Sequence, residues 1–319
     1  MLQGDGGGDA ASGADASVPA ARAIIALHID PNGPTRGVQN ATPANWASIV
    51  NFVAAADRHG FKLTLLMGAD WPAVARAEPN GVERVAEWIN NGHQLGFHHH
   101  SCGHTNPDGF RDVTGRDRCA GETERGSVRD AFAEVVALSE SAVAAGADPM
   151  QAVVDTAAQG PNDGNAYRSV EWQPTARYAT GPLHDNTDGH DDHRFLTVPR
   201  CTTDYGNSYG AEPVTYRVPE LGHAQLDVGA FVELQSANNL EALEGEADLL
   251  ISGDHQESEA VLGVVLHGRE YSARGRDTGR DSLSTDQAYL DAMLQALADR
   301  RVSVVTAREI LDEADPCSE

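Results

Sequence analysis

The sequence predicts an α/β fold built on a parallel sheet or barrel, and three observations carry that prediction. Short apolar runs alternate with segments of helical periodicity in a β-α-β-α-β order through residues 23–98. The connections have the length that crossover units need. Polar residues of chemical use stand where apolar runs stop: Asp30 after the first, a row of histidines after the third. In parallel folds chemistry gathers at the C-terminal ends of strands, so these residues can meet at one site.

The elements follow in order. Residues 1–22 are Gly, Ala, Asp and Ser with almost no bulky apolar group, so they cannot bury enough surface to offset their ordering entropy and read as a disordered tether. Residues 23–319 are expected to form one domain. Ala23–Asp30 is a buried strand whose end delivers His28 and Asp30, two apart and therefore on one side. Thr42-Pro43 caps a helix with Trp46, Ile49, Val50 and Val53 on one stripe, ending at Gly60. Phe61–Met67 is a second strand. A helix with Val82, Val85, Ala86 and Ile89 inward ends at Asn91-Gly92, and a third strand runs from Gln94 to about His98.

A loop bounded by cysteines leads to a helix over about Thr123–Ala145, with Val128, Phe132, Val135, Val136 and Val143 inward. Gln151–Thr156 is expected as a fourth strand. From there to about Leu250 the periodicity degrades. Within that stretch, His184–His193 holds metal-ligand residue types without the aspartate spacing of a calcium loop, and reads as a solvated loop, with a substrate rim or second metal as the alternative. Order returns with the strand Val261–His267. Next comes a helix capped by Ser284 with Gln287, using Tyr289, Leu290, Met293, Leu294 and Leu297. Val302–Val305 is the last strand, and Thr306 with Glu309 forms a capping box that opens the final helix.

Composition bounds the function. The chain carries 48 acidic against 23 basic residues, a formal charge of −25, with no run of Lys or Arg, so nucleic acid is excluded as a partner. No apolar stretch is long enough to span a bilayer. Four cysteines (Cys102, Cys119, Cys201, Cys317) without a C-x-x-C pair fit two disulfides in an oxidising compartment. Three connectivities are open; Cys102–Cys119 with Cys201–Cys317 is favoured, and Cys102 is alternatively a metal ligand. No signal peptide is visible. The tether and the cysteines together lead us to expect an exported protein, extracellular or at the cell surface, anchored by lipid through an N-terminal signal since removed.

Five of the 13 histidines fall within residues 92–104. An expression tag would not sit internally, broken by other residues and behind a strand. His100 and His104 stand four apart, so one helical turn would present both rings to one divalent ion. His93 and His99 are assigned structural or solvent-facing places, since consecutive residues cannot all reach one ion. His223 and His255 receive no role. Trp46, Trp88 and Trp172 are expected to pack, and Trp71, next to Pro72 after a strand end, is the best placed of the tryptophans to touch a substrate.

Four segments carry a family resemblance. Gly92-His93-Gln94-Leu95-Gly96 matches a Gly-His-Glu-Ile-Gly approach. His100-Ser101-Cys102-Gly103-His104 matches a His-Ser/Thr-x-x-His metal motif. Val264-Val265-Leu266-His267 matches a late Leu-His strand, and Tyr289–Leu311 matches a closing helix, a strand ending in Val-Thr, and a helix. In these the chain resembles the polysaccharide deacetylase (NodB-homology) family, carbohydrate esterase family 4. The resemblance covers most of residues 23–311 and implies an irregular (β/α)7 barrel. It also implies an Asp-His-His site for zinc or a similar divalent ion, and hydrolysis of acetyl groups on a glycan such as a cell-wall polysaccharide. Carried over, Asp30, His100 and His104 bind metal and His267 is the general acid.

The chain departs from the family in three places. The base aspartate's slot holds Ile29, leaving His28 or an acid from the irregular middle as substitute. Two extra residues separate Gly96 from His100, so His98 is an alternative first ligand. The family's Arg-Pro-Pro-Tyr-Gly motif has only a loose echo in Arg217–Gly222. Two alternatives to the deacetylase stand: a non-catalytic relative that binds metal and glycan, and a metallohydrolase that cleaves a different bond.

Overall fold

The computed structural model describes residues 21–34, 37, 39–100, 107–111, 125–158, 178–182, 195–202, 223–230, 236–253, 260–267 and 283–315. Among these the order is β1 (Arg22–Ile29), α1 (Pro43–Arg58), β2 (Thr64–Met67), α2 (Trp71–Ala77), α3 (Gly81–Asn90), β3 (Gln94–Phe97), then the short β4 (Phe110–Arg111) and β5 (Gly126–Ser127). There follow α4 (Val128–Ala144), β6 (Thr156–Ala158), β7 (Tyr178–Pro182), β8 (Leu196–Thr197), β9 (Arg200–Thr202) and β10 (His223–Ala230). The described chain closes with α5 (Ser236–Ser252), β11 (Val261–His267), α6 (Leu283–Asp299), β12 (Ser303–Val305) and α7 (Ala307–Ala314).

The result is a mixed α/β structure on a parallel-rich sheet. β1 pairs in parallel with β2, β11 and β12; the parallel pairs β2–β3, β3–β6, β6–β7, β7–β10 and β10–β11 complete the set. β8 and β9 add antiparallel contacts to β11 and β10. One edge of β1 is divided: Arg22–Ile24 take β12 and Ala26–Ile29 take β2. β11 lies along Ala23–His28 on the other edge.

Alternation along the strands separates two apolar layers. Ala23, Ile25, Leu27 and Ile29 of β1, Leu65 and Met67 of β2, and Leu95 and Phe97 of β3 join the larger core, with Trp46, Ile49 and Phe52 of α1, Val85 of α3 and Val135 of α4. Ile24 and Ala26, with Leu66, Val261 and Val265, form a smaller cluster on the opposite face, closed by Ala307, Ile310 and Leu311 of α7. His28 shares the parity of Ile24 and Ala26. Gly96 and His98 share a parity opposite to Leu95 and Phe97.

Three helices start where their side chains dictate. Thr42 accepts the Asn45 amide at α1, and Thr306 with Glu309 makes the expected reciprocal box at α7. Four expectations are corrected. α4 opens at Val128, because Ser127 and Asp130 form a capping box there. α6 begins at Leu283, so Ser284 lies within its first turn rather than capping it. The short helix α2 was not anticipated. The fourth strand is Thr156–Ala158 rather than 151–156, because the preceding residues are otherwise engaged. Gln151 and Ala152 turn back onto the Asp148 carbonyl, and the Arg308 guanidinium takes the carbonyls of Gln151 and Val153. Other readings lie outside the described residues: residues 1–20 of the tether, His104, Arg217–Gly222, the 184–193 cluster, His255, Trp172, and cysteines 102, 119 and 317. The side chain of Cys201 does too, so the disulfide expectation is untouched.

Candidate metal centre

Asp30, one residue past β1, and His98, one residue past β3, stand at the same level of the sheet: the Gly68 amide donates to the Ile29 carbonyl at 2.9 Å and the His98 amide to the Met67 carbonyl at 2.9 Å. The intervening strand offers Gly68 there, so no side chain from β2 rises between the two. Pro31 lies over that glycine so closely that an added Cβ would meet it at 2.7 Å. One level below, a Cβ on Gly96 would meet Leu66 Cδ2 at 2.5 Å and the Thr156 carbonyl oxygen at 2.6 Å. Both glycines are required by close approach.

Residues 98–100 continue β3 without helical backbone. His98 and His100, two apart, therefore reach the same side while His99 reaches the other. Nε2 of His98 lies 2.9 Å from Nε2 of His100 and 3.3 Å from Asp30 Oδ1, and His100 Nε2 lies 3.6 Å from that oxygen. The three donor atoms form a compact group of metal-ligating types. Two imidazole nitrogens and a carboxylate oxygen so placed share either a proton or a cation. Both rings are 3% exposed and the Asp30 side chain 17%, so the carboxylate is the side open to solvent. The ring of His28, buried on the same face, lies 4.5 Å from that of His98, centroid to centroid.

The structure thus brings together Asp30, His98 and His100, with His28 beside them. The histidine pair meets through strand periodicity, not through the helical turn expected for His100 and His104; His104 lies outside the described residues. The His267 backbone stands opposite His28 in register, and its side chain lies outside the description. Ile29 is wholly buried in the core under the helices, on the face away from this group.

Several neighbours hold these residues in place. Trp71, the best placed of the tryptophans to touch a substrate by sequence, is buried, and its indole N–H donates to the Asp30 carbonyl at 2.8 Å, so it positions the loop. Trp46 and Trp88 pack as expected, ring centroids 5.2 Å apart. His99 donates from Nδ1 to Asp108 Oδ2 at 2.9 Å; both are buried. Burial opposes ionisation of Asp108. The charge and hydrogen bond of His99, the Phe110 amide and the charge of His100 outweigh it and hold the carboxyl below its ordinary range. His93 is structural: Nδ1 accepts the Leu63 amide at 2.9 Å and Nε2 donates to Asp57 at 3.0 Å. Burial lowers its pKa against the opposing pull of Asp57. Sequence reasoning passed over Asp108; the one available signal was its Pro-Asp-Gly turn shortly after the histidines.

No protein-family model and no curated protein matches this chain. Among solved structures, it is similar to the 4-alpha-glucanotransferase of Thermococcus litoralis at 11% identity and a TM-score of 0.49, over 92% of this chain and 40% of that one. It therefore spans well under half of that enzyme. A proposed polysaccharide deacetylase from Mycobacterium smegmatis is similar at 11% identity and a TM-score of 0.45, over 93% and 94% of the two chains.

Proposed function

We propose that the protein is a metal-dependent hydrolase that removes acetyl groups from a polysaccharide, on an irregular (β/α)7 barrel of the NodB-homology type. The observation that carries the reading is the convergence of Asp30 Oδ1 with Nε2 of His98 and His100 at strand C-termini. The parallel pairings support the barrel, since they run β1-β2-β3-β6-β7-β10-β11 and return to β1.

The residues fit a divalent ion. Ligands about 2.1 Å from a tetrahedral metal stand roughly 3.4 Å from one another, and the three edges here are 2.9, 3.3 and 3.6 Å. Two imidazoles and one carboxylate suit zinc, with a further position left for substrate or for His104. A bound ion would supply Lewis acidity toward an acyl oxygen. The chain's own residues do the rest in this reading. Asp30 admits substrate on the solvent side, the two rings exclude water behind it, and His28 accepts a proton where Ile29 cannot. His267, whose backbone neighbours His28, protonates the leaving amine or alkoxide. Export, with paired cysteines, belongs to the same proposal.

A second reading, a non-catalytic binder of metal and glycan, is favoured by the burial of Ile29 away from the site, which leaves the family's base position without an acid. Metal content of the purified wild type against His98→Ala, His100→Ala and His104→Ala, paired with acetate release from a panel of acetylated glycans, separates these readings. We expect the ion to be lost from the first two variants and acetate to be released by wild type alone. Retention of the ion in both would remove the ligand set. A metal-loaded wild type that releases no acetate from any glycan would favour the binder.

A further inference from the structure

We propose that Arg125, with Asp70 and Asp108, clamps the two arms of the candidate metal centre at a fixed separation and thereby sets its affinity for a divalent ion; this rests on the metal reading above. The first arm is Asp30–Asn32 after β1, the second His98–His100 after β3. Residues 70 and 71 hold the first arm. The Asn32 amide donates to Asp70 Oδ2 at 2.9 Å, and Trp71 donates to the Asp30 carbonyl at 2.8 Å. Asp108 holds the second. Its Oδ2 accepts His99 Nδ1–H at 2.9 Å and the His100 amide at 3.3 Å, and its own amide donates to the His100 carbonyl at 3.0 Å.

Arg125 joins the two. Its guanidinium makes a two-pronged contact with Asp70, Nη2 to Oδ1 at 2.6 Å and Nη1 to Oδ2 at 3.1 Å, and the same Nη1 donates to the Asp108 carbonyl at 3.2 Å. The cation also lies over the Phe110 ring, 4.5 Å from its centroid. None of these groups is a proposed ligand; all are positioning residues. Donor atoms only a few ångströms apart on separate strand ends bind an ion tightly when their separation is set beforehand, and outer residues that orient ligands commonly control affinity 10–100-fold. The planar fork matters as much as the charge, because an ammonium group cannot make two parallel bonds to Asp70, a third to a carbonyl and a stack on Phe110 at once.

The test is titration of the full chain with Zn(II), and separately Co(II), against a chromophoric chelator. Wild type is compared with Arg125→Ala, Arg125→Lys and, as a destabilised control at the opposite ends of the strands, Arg308→Ala, with urea midpoints for each. We expect both Arg125 variants to keep one ion per chain with Kd raised about 10–100-fold and an altered Co(II) visible spectrum. Arg308→Ala should lose stability and keep the wild-type Kd. An unchanged Kd in the Arg125 variants, or equal weakening in Arg308→Ala, would overturn the clamp and leave the metal site standing. A wild type that takes up neither ion would overturn the metal reading, and the clamp with it.

Discussion

His28 and Ile29 are neighbours in sequence and face opposite sides of β1. His28 lies against His98, and Ile29 is buried under the helices. An acid introduced at position 29 would therefore enter an apolar layer. We expect Ile29→Asp to lose about 3 kcal/mol or more of stability, the cost of burying a carboxyl without partners, and not to raise acetate release above that of wild type. Urea denaturation decides this; a loss below about 1 kcal/mol would mean that residue 29 reaches solvent or the site. His93 gives a second prediction at this scale. Because the fold needs its Nδ1 as an acceptor and lowers its pKa by burial, the folded chain resists a proton that the unfolded chain binds near pH 6.5. Its contribution is complete above that pH and is lost as pH falls toward the lower folded value. Between pH 7.5 and 5.5, wild type should lose more stability than His93→Gln; parallel losses would count against it.

The histidine segment shows why the site was only partly legible in the sequence. Residue types and their place at a strand end were readable, so Asp30, His98 and His100 were all named. Whether the rings met by a helical turn or by strand alternation was not, because His100 with His104 fits the first period and His98 with His100 the second until backbone conformation chooses. That choice depends on Asp108, which fixes His99 and the His100 amide from a turn whose own chemistry gave no sign of its target. At the neighbouring strand Gly68 supplies the gap between the arms. Gly68→Ala should displace Pro31 and with it Asp30, lowering stability by about 1–3 kcal/mol and weakening metal binding more than a core substitution of equal cost. Isothermal titration beside urea denaturation would separate the two effects. Weakening no greater than in the core control would remove Gly68 from the site's design.

Across the whole molecule the strands carry different polar groups at their two ends. At the N-terminal ends Arg308 of α7 bonds Asp155 Oδ1 at 2.7 and 3.1 Å, Asp155 accepts Gln94, and Gln94 and Thr64 accept the amides of Arg308 and Ala307. Arg308→Ala would leave Asp155 buried without that partner, and we expect a loss of about 3 kcal/mol with metal binding unchanged, read from the urea midpoint and the Zn(II) titration. A stability change under about 1 kcal/mol would mean the network is loosely formed. Strands such as β1 and β11 were legible because each is a nearly continuous apolar run. The stretch from 156 to 250 was not: its strands are short or glycine-bearing, and they take their place from pairing with β3 and β11 rather than from any pattern of their own.

The two edges of β1 bear on how the protein is made. β1 finds β2 early, yet its other edge waits for β11, more than two hundred residues later. Until β11 is made the ribosome would hold a chain with an open, largely apolar ribbon, a form inclined to stick to its fellows unless a chaperone shields it. Completion of the sheet must then wait until β11 has been made.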